Sequence, residues 1–314
     1  MRKGLRIAPL ILLGIVLVGL ALYCLWPHER TYQGRPLSQW LQEYSKVWTN
    51  NITPTDRIQQ RKDEERFAAL GPAVVPDLVK MLEKRSGLNF DGKLGNQLIQ
   101  FSATRRIGNW LNLRPGVAEY RRFEAAYLLG VLGPQAEAAI PAMIRIYQHT
   151  GESIWLRKDI LESLARINRR PDLIVPVLAE SLSGPQLLVE TAGRALGEFG
   201  TNSIPAIPAL RQTLHHWDTW TALVAAQTIR NIDPNASLAA VDEVMPLLVK
   251  ALQSGNSLHA WYAMPLLSQY GDRAKVAVPP LVKILEEDRG DLPERAAYTL
   301  KRIDPEAAAK AGVQ

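Results

Sequence analysis

The sequence is nearly free of cysteine, because Cys24 is the only one in 314 residues. An internal disulfide and a zinc site built from cysteine ligands are therefore excluded, and no thiolate nucleophile follows position 24. Glycine-rich phosphate loops and the Gly-x-Ser-x-Gly and Ser-x-x-Lys nucleophile motifs are also missing. These absences remove the common signatures of nucleotide-binding and hydrolytic enzymes.

Histidine is scarce and scattered. No two histidines have the His-x-x-x-His or His-Glu-x-x-His spacing that places two zinc ligands on one face of a helix. The sequence therefore predicts no catalytic residue, no metal ligand and no cofactor. The five histidines are His28, His149, His215, His216 and His259.

The excess of positive charge is small. Lys and Arg number 37 against 31 Asp and Glu, a formal charge of +6, and Arg2, Lys3 and Arg6 contribute half of it ahead of the first apolar block. A nucleic-acid-binding domain usually carries a denser basic patch, so we predict no nucleic-acid partner. A composition of 47% hydrophobic and 22% charged residues is typical of a folded protein.

One long apolar run lies near the N-terminus. Residues 8–26 are uncharged and mostly aliphatic, and as a helix they would span about 28 Å, close to the thickness of the bilayer hydrocarbon. The three basic residues before the run favour a cytoplasmic N-terminus and an extracytoplasmic remainder. The alternative is a cleaved signal peptide, but cleavage after the small pair Gly19 and Ala21 would leave an apolar mature end, so we predict an uncleaved single-pass anchor in the cell membrane.

A short amphipathic segment follows the anchor. Leu37, Trp40, Leu41 and Tyr44 have the spacing of one helix face. We predict a juxtamembrane helix that docks onto the first repeat, with a helix lying on the membrane surface as the alternative. Residues 49–56 are polar and are predicted to form a loop.

A repeat occupies most of the remaining chain. Pairs of small residues such as Ala125-Ala126 precede an apolar residue and then a Gly or Asp. These apolar residues recur at intervals of 32 to 38 residues, after a first gap of 62. They are Leu70, Leu132, Ile167, Phe199, Ile232, Tyr270 and Ile303, and the prolines that follow the first six are Pro76, Pro141, Pro176, Pro208, Pro246 and Pro279.

Each period predicts a helix, a turn, and a second helix with proline in its opening turn. A single hairpin of this kind cannot bury its apolar faces, so neighbouring hairpins must stack. The expected fold is an all-α solenoid with few or no strands. Pro265 falls inside the first helix of the sixth unit, where we expect it to interrupt the helix.

The residues at 125–134 and 139–144, with their counterparts downstream, resemble the HEAT-repeat family, and the stretch at 32–41 resembles membrane-anchored bacterial HEAT-repeat proteins. The resemblance implies a HEAT-like α-solenoid of about six to seven helical hairpins, preceded by one transmembrane helix. Some HEAT-repeat enzymes bind iron through several His-Glu dyads, but the only dyad here is His28-Glu29. The predicted organisation is a basic tail at 1–7, an anchor at 8–27, a juxtamembrane helix and linker at 28–56, and a solenoid at 57–314 with an irregular insertion at about 86–116.

A column of polar residues stands four positions after each repeat proline, and four of its six members are basic. Stacked second helices would align this column on one surface, which the resemblance implies is concave. It is a candidate site for an acidic peptide, glycan or phospholipid headgroup. The alternative is a solvated face with local pairs, Lys80 with Glu83 and Lys283 with Glu287. The candidate partner-binding residues are Lys80, Arg145, Lys250 and Lys283; the other two members are Glu180 and Gln212.

The sequence thus predicts a non-enzymatic, membrane-tethered scaffold that binds an unknown protein or peptide, with residues 8–27 in the lipid bilayer. The alternative is a HEAT-like enzyme of lyase or hydroxylase type with its site in the groove. Four tryptophans near the starts of first helices are expected to pack under the neighbouring hairpins: Trp155, Trp217, Trp220 and Trp261.

Overall fold

The computed structural model describes residues 30–45, 54–84, 117–287 and 290–313. The predicted tail at 1–7, the anchor at 8–27 and the insertion at 86–116 lie outside these ranges. No helix in the described ranges combines the length and the apolar character needed to cross a bilayer. The contacts divide the chain into two compact units, Met1–Leu70 and Gly71–Gln314.

In its described residues, 30–45 and 54–70, the first unit contains a ribbon of two two-residue strands and two helices. Strands β1 (Thr31–Tyr32) and β2 (Arg35–Pro36) pair antiparallel around a tight turn, and α1 (Leu37–Ser45) and α2 (Pro54–Ala68) follow. The loop predicted to extend to residue 56 ends earlier, because Pro54 already opens α2, and proline is well suited to the first position of a helix.

The predicted juxtamembrane helix is α1, and it packs against α2. Leu37, Trp40 and Leu41 are buried. The Trp40 indole Nε1 donates to the carbonyl of Tyr32 over 3.1 Å, and its ring meets Phe67 of α2 edge-to-face at 6.4 Å between centroids. Three of the four residues predicted for the apolar stripe of α1 are therefore buried.

The second unit is built of helices over its described residues, 71–84, 117–287 and 290–313. First helices of successive hairpins alternate with shorter second helices, and some turns contain a 3-10 segment. In chain order the helices are α3 (Val75–Glu83), α4 (Val117–Leu132), α5 (Ile140–Gln148), α6 (Ile154–Ile167), α7 (Pro171–Ser181), α8 (Gln186–Phe199), α9 (Ile207–Thr213), α10 (Thr219–Ile232), α11 (Pro234–Ala239), α12 (Val241–Gln253), α13 (Ser257–Tyr270), α14 (Val278–Leu285), α15 (Leu292–Ile303) and α16 (Pro305–Lys310).

The hairpins stack in sequence order, as the repeat predicts. The first helices form one layer, in which α4 packs on α6, α6 on α8, α8 on α10, α10 on α13 and α13 on α15. The second helices form the other layer, with α3 against α5, α5 against α7, α7 against α9 and α12 against α14. The second unit is therefore a two-layered helical solenoid, which confirms the predicted architecture for this part of the chain.

Three kinds of turn join the two helices of a hairpin. Gly133, Gly200 and Gly271 adopt positive φ angles of 53–54° and lead into seven-residue 3-10 segments. Asp233 and Asp304 instead cap the short helices α11 and α16 by accepting hydrogen bonds from backbone amides. In the third kind, Asn168 and Arg170 have positive φ and α7 begins directly. The predicted preference for Gly or Asp at the turn is thus confirmed in five of the six hairpins in 117–313.

The position of proline in the second helix depends on the turn. Pro76, Pro141, Pro208 and Pro279 each occupy the opening turn, as predicted. The prediction is wrong for α7 and α12, where Pro176 and Pro246 lie inside the helix. Both helices lack a preceding 3-10 segment, so each begins five residues before its proline.

Pro265 does not interrupt α13, which contradicts the sequence-based expectation. The helix is continuous over Ser257–Tyr270. Its N-cap is Asn256, whose side chain accepts hydrogen bonds from the amides of Leu258 and His259. Proline removes one intrahelical hydrogen bond, but α10 and α15 pack on the flanks of α13. Tertiary packing therefore holds a helix that local preference alone would break.

Small residues let the first helices approach closely. Ala125, Ala126, Ala192, Ala225 and Ala296 are at most 1% exposed. At Gly130 the approach is tighter still, because an added Cβ would lie 2.8 Å from the Ser163 Oγ and 3.1 Å from its Cα. The contact with the neighbouring backbone leaves no room for even a methyl group.

We expect Gly130→Ala to destabilise the protein. Overpacking costs about 1–3 kcal/mol, which exceeds the gain of about 0.8–1.0 kcal/mol from replacing glycine in a helix. The matched control is Gly197→Ala, at the equivalent position of α8, where the new Cβ would meet Asn231 at an ordinary 3.5 Å. The control should raise the unfolding midpoint in urea while Gly130→Ala lowers it; shifts of the same sign would contradict this account of the packing.

Candidate functional site

The predicted column lies on the second-helix layer. Each of its six residues is exposed, and each sits on a different second helix. Because these helices follow one another along the solenoid, the side chains line its solvent-facing surface in sequence order. They are Lys80 on α3, Arg145 on α5, Glu180 on α7, Gln212 on α9, Lys250 on α12 and Lys283 on α14.

The N-terminal part of the column is engaged in ion pairs. Lys80 Nζ lies 3.7 Å from Asp77 on the same helix. Glu83 pairs with Arg145 of the next second helix, so the predicted pair of Lys80 with Glu83 is wrong. The residue beside Gln212, Arg211, forms a similar pair with Glu243 of α12 and lowers the pKa of that carboxyl. Exposed pairs of this kind link consecutive second helices.

The C-terminal part of the column differs. Within the described ranges no carboxylate forms an ion pair with Lys250 or Lys283, and both side chains are exposed. Lys283 also borders a cleft of about 670 Å³ between the end of α12 and α14. Basic side chains beside an open, partly apolar cleft can bind a carboxylate-bearing partner. The other residues of this cleft are Leu252, Gln253, Gly255, Pro279, Pro280, Ile284 and Glu287.

The tryptophan prediction is half correct. Trp220 and Trp261 are half-buried and pack on neighbours: Trp220 meets Tyr262 edge-to-face at 4.6 Å. Trp155 and Trp217 are 60% and 83% exposed, so the expectation that they pack under a hairpin is wrong. Trp155 is the second residue of α6 and Trp217 directly precedes the capping residue of α10, at an edge of the array that no neighbouring helix covers among the described residues.

The first-helix layer carries a charged ladder over α6 and α8. Glu162 accepts from Arg194 over 2.7 Å and from Lys158 over 2.8 Å. Arg166 in turn stacks on Tyr127 at 5.3 Å. These contacts leave a groove of only about 180 Å³ between the two helices.

A larger cleft in the same layer was missed by the sequence analysis. It measures about 640 Å³ and lies between α13 and α15, with Arg230 of α10 at one end. Pro265, Tyr298 and Arg302 line it. The sequence does carry a signal for this cleft when the repeats are aligned on the apolar residue that precedes each turn. Pro265 stands five residues before Tyr270, at the position that Glu162 occupies in α6 and Arg194 in α8.

Two carboxylates of the first helices are unusually placed. Glu124 is only 5% exposed, and its burial raises its pKa to about 7, against the opposing effect of Arg121. Burial also raises the pKa of Asp159 on α6, although Lys158 opposes the shift. No group of three or more His, Cys, Asp or Glu in the described ranges is placed to hold a metal ion. Glu124 and Asp159 are therefore not part of a recognisable metal site in these ranges.

The comparisons with known proteins give a structural similarity and no sequence match. No protein-family model matches the sequence, and no curated protein matches it. A similar solved chain comes from a structure of Kap95p and RanGDP concerned with nuclear import complex assembly, with a TM-score of 0.45 and 13% identity. The alignment covers 85% of this chain, which spans only 45% of that one.

Proposed function

We propose that this protein is a HEAT-like interaction scaffold, tethered to the membrane, that binds an acidic protein or peptide on its second-helix layer. The observation that carries the proposal is the C-terminal part of the column, where Lys250 and Lys283 are exposed without a carboxylate partner among the described residues and Lys283 borders a cleft. Stacked repeats of this kind use such extended surfaces to bind partners.

The charge of the column favours an acidic partner. Two uncompensated ammonium groups on successive hairpins steer a negatively charged segment toward the surface and disfavour a basic one. The apolar residues of the cleft, such as Leu252 and Ile284, can then cover an apolar side chain of that segment. A peptide that alternates acidic and apolar residues has the matching chemistry.

The tether belongs to the proposal as well. Residues 8–27 would hold the solenoid at the bilayer with the N-terminus cytoplasmic and the repeats extracytoplasmic, as the basic residues before the anchor favour. Tethering confines the solenoid and its partner to the membrane surface and so raises their effective concentration.

The test uses the full-length chain in its own membrane. Lys250→Glu with Lys283→Glu should reduce the recovery of cross-linked partners at least tenfold, since each reversal replaces an attraction with a repulsion. The matched control is Lys275→Glu with Lys301→Glu, which makes the same charge change away from the column and should leave recovery within twofold. In a further variant, Lys80 and Arg145 are replaced by Glu as well. Its recovery of partners should be no lower than that of the Lys250→Glu, Lys283→Glu variant.

Equal recovery from the column variant and the control would overturn the binding proposal. The tether is tested in the same cells, because a protease added from outside should digest the repeats while an N-terminal tag stays protected. Protection of the repeats would overturn the proposed topology and leave the binding result standing.

A further inference from the structure

The cleft between α13 and α15 in the first-helix layer has no part in the proposed function. It lies on the opposite layer from the column and is therefore a separate surface. It is lined by Pro265 and Ser268 of α13, by Tyr298 and Arg302 of α15 and by Arg230 of α10, among others. A volume of about 640 Å³ is in the range of a ligand-binding pocket.

The cleft exists because Pro265 is short and cannot bridge to the next helix. At the same repeat position, Arg194 of α8 reaches Glu162 of α6 over 2.7 Å and closes the groove between them to about 180 Å³. Between α13 and α15 the two residues at this position are Pro265 and Tyr298, which have no such bond to make. The Tyr298 ring is instead 61% exposed.

The arginines of the cleft are only partly neutralised. Arg295 stacks over the Trp261 ring at 4.1 Å and its Nε lies 3.3 Å from Asp291. Arg230 and Arg302 have no carboxylate partner among the described residues. Arg302 Nε lies 3.5 Å from the carbonyl of Ser268, and its guanidinium lies 6.0 Å from the Tyr298 ring.

The remaining acidic group of the cleft, Glu294, is exposed at its rim. Arg230 is half-buried beside Gln227, whose side-chain oxygen accepts from the Arg230 Nε at 3.2 Å and Nη2 at 2.9 Å once the amide is oriented for that bond. Arg302 lies near the end of α15 and is exposed, whereas the acidic groups lie toward its start, so the part of the cleft lined by Arg230 and Arg302 is positive.

We propose that this cleft docks an acidic segment of a partner protein, with a carboxylate bound by Arg230 and Arg302 and an apolar side chain packed on Tyr298. Arginine, tyrosine and tryptophan are the residues that dominate the binding energy of protein interfaces. The planar guanidinium matches the two oxygens of a carboxylate, which a lysine does not. The proposal commits to a peptide segment because the cleft is open, elongated across three successive first helices and part apolar.

The test measures binding of two fluorescein-labelled peptides to the full-length chain in detergent micelles by anisotropy. One has the sequence Gly-Glu-Leu-Glu-Glu-Leu-Glu-Gly, and in the other every Glu is Gln. The acidic peptide should bind the unaltered protein at least tenfold more tightly than its neutral counterpart. Arg230→Gln with Arg302→Gln should weaken the acidic peptide at least tenfold.

A second variant keeps the proposal testable if the half-buried Arg230 proves necessary for folding. Pro265→Gln restores a good helix former and places a longer side chain in the cleft, so it should raise the unfolding temperature and still weaken the acidic peptide. If the cleft had only a structural role, Pro265→Gln would not both raise the unfolding temperature and weaken the binding of the acidic peptide.

The second-helix layer supplies the control. Lys250→Gln with Lys283→Gln leaves the cleft on the other layer intact, so this variant should still bind the acidic peptide more tightly than the neutral one. Weakening by this variant alone would place the peptide on the column and overturn the inference while supporting the proposed function. Failure of the acidic peptide to bind the unaltered protein, or unchanged binding in the Arg230 and Arg302 variant, would also overturn it.

Discussion

Replacing Arg122 with methionine is expected to destabilise the solenoid by about 3–5 kcal/mol, because it removes a bidentate, charge-assisted hydrogen bond to a buried carboxylate. Arg122 Nη1 and Nη2 donate to the two oxygens of Glu152 over 2.7 and 2.8 Å, and the two side chains are only 8% and 4% exposed. Its Nε donates to the carbonyl of Leu82 over 2.7 Å. Methionine fills a similar volume and makes none of these bonds.

The position of Arg122 explains why the effect should extend beyond one hairpin. Leu82 lies in the last turn of α3, Arg122 lies on α4, and Glu152 lies in the connection that leads to α6. One guanidinium therefore joins three segments of the solenoid. Loss of this link should increase the hydrogen exchange of amides in α3 and α5, and not only that of α4.

The matched control for Arg122→Met is Arg194→Met. Arg194 also forms an ion pair with a glutamate of another hairpin, at the same 2.7 Å, but its side chain is 62% exposed and that of Glu162 is 28% exposed. Exposed pairs contribute about 0–1 kcal/mol. Urea unfolding of the two variants should differ by more than 2 kcal/mol, and a smaller difference would show that burial of the Arg122 pair is not what makes it strong.

The stability of the protein should fall as the pH rises from about 4.5 to about 7, in part because of Glu124. Its pKa is raised from 4.5 to about 7 by burial. The folded state therefore binds the proton more tightly than the unfolded state, and this contribution is complete below pH 4.5 and is lost as the pH passes 7. A difference of this size corresponds to roughly 3 kcal/mol.

Glu124→Gln should remove this dependence. Glutamine has the shape of the protonated side chain and cannot ionise, so the variant should exceed the parent protein in stability by roughly 2–3 kcal/mol at pH 8, and the difference should shrink toward zero at pH 4. Glu180→Gln, at an exposed position on α7, removes the same charge and should change stability by less than about 0.5 kcal/mol at both pH values. A pH-independent difference for Glu124→Gln would contradict the burial argument.

The repeat architecture could be predicted from the sequence because its signals recur. Each small-residue pair, turn residue and proline is weak alone, but their period places every hairpin of 117–313. The turns also carry their own chemistry, as Asp233 and Asp304 show by capping the helices that follow them.

The sequence does not show which side chains from different hairpins meet, because only the stacking of the hairpins brings them together. Glu83 was predicted to pair with Lys80, three positions away, but it pairs with Arg145, 62 positions away. Similarly, local preference made Pro265 a helix breaker, whereas packing on both flanks keeps α13 intact. In both cases a tertiary contact outweighs a local rule.

The two candidate sites also differ in how far they could be predicted from the sequence. The column could be predicted because one periodic position on a series of second helices must face one direction. The cleft at Pro265 could not, because it arises where one repeat departs from the pattern and leaves Tyr298 and Arg302 without the bridge seen between α6 and α8. An alignment of the repeats against one another locates that departure, but only the packed helices show that it opens a space.

The ordered stacking of first helices on one another has a mechanical consequence. A chain held at one end and pulled at the other transmits the load through each hairpin in series, so extension should proceed by detaching terminal hairpins stepwise at low force. A solenoid loaded in this way would behave as an elastic element that lengthens under load and recoils when the load is removed.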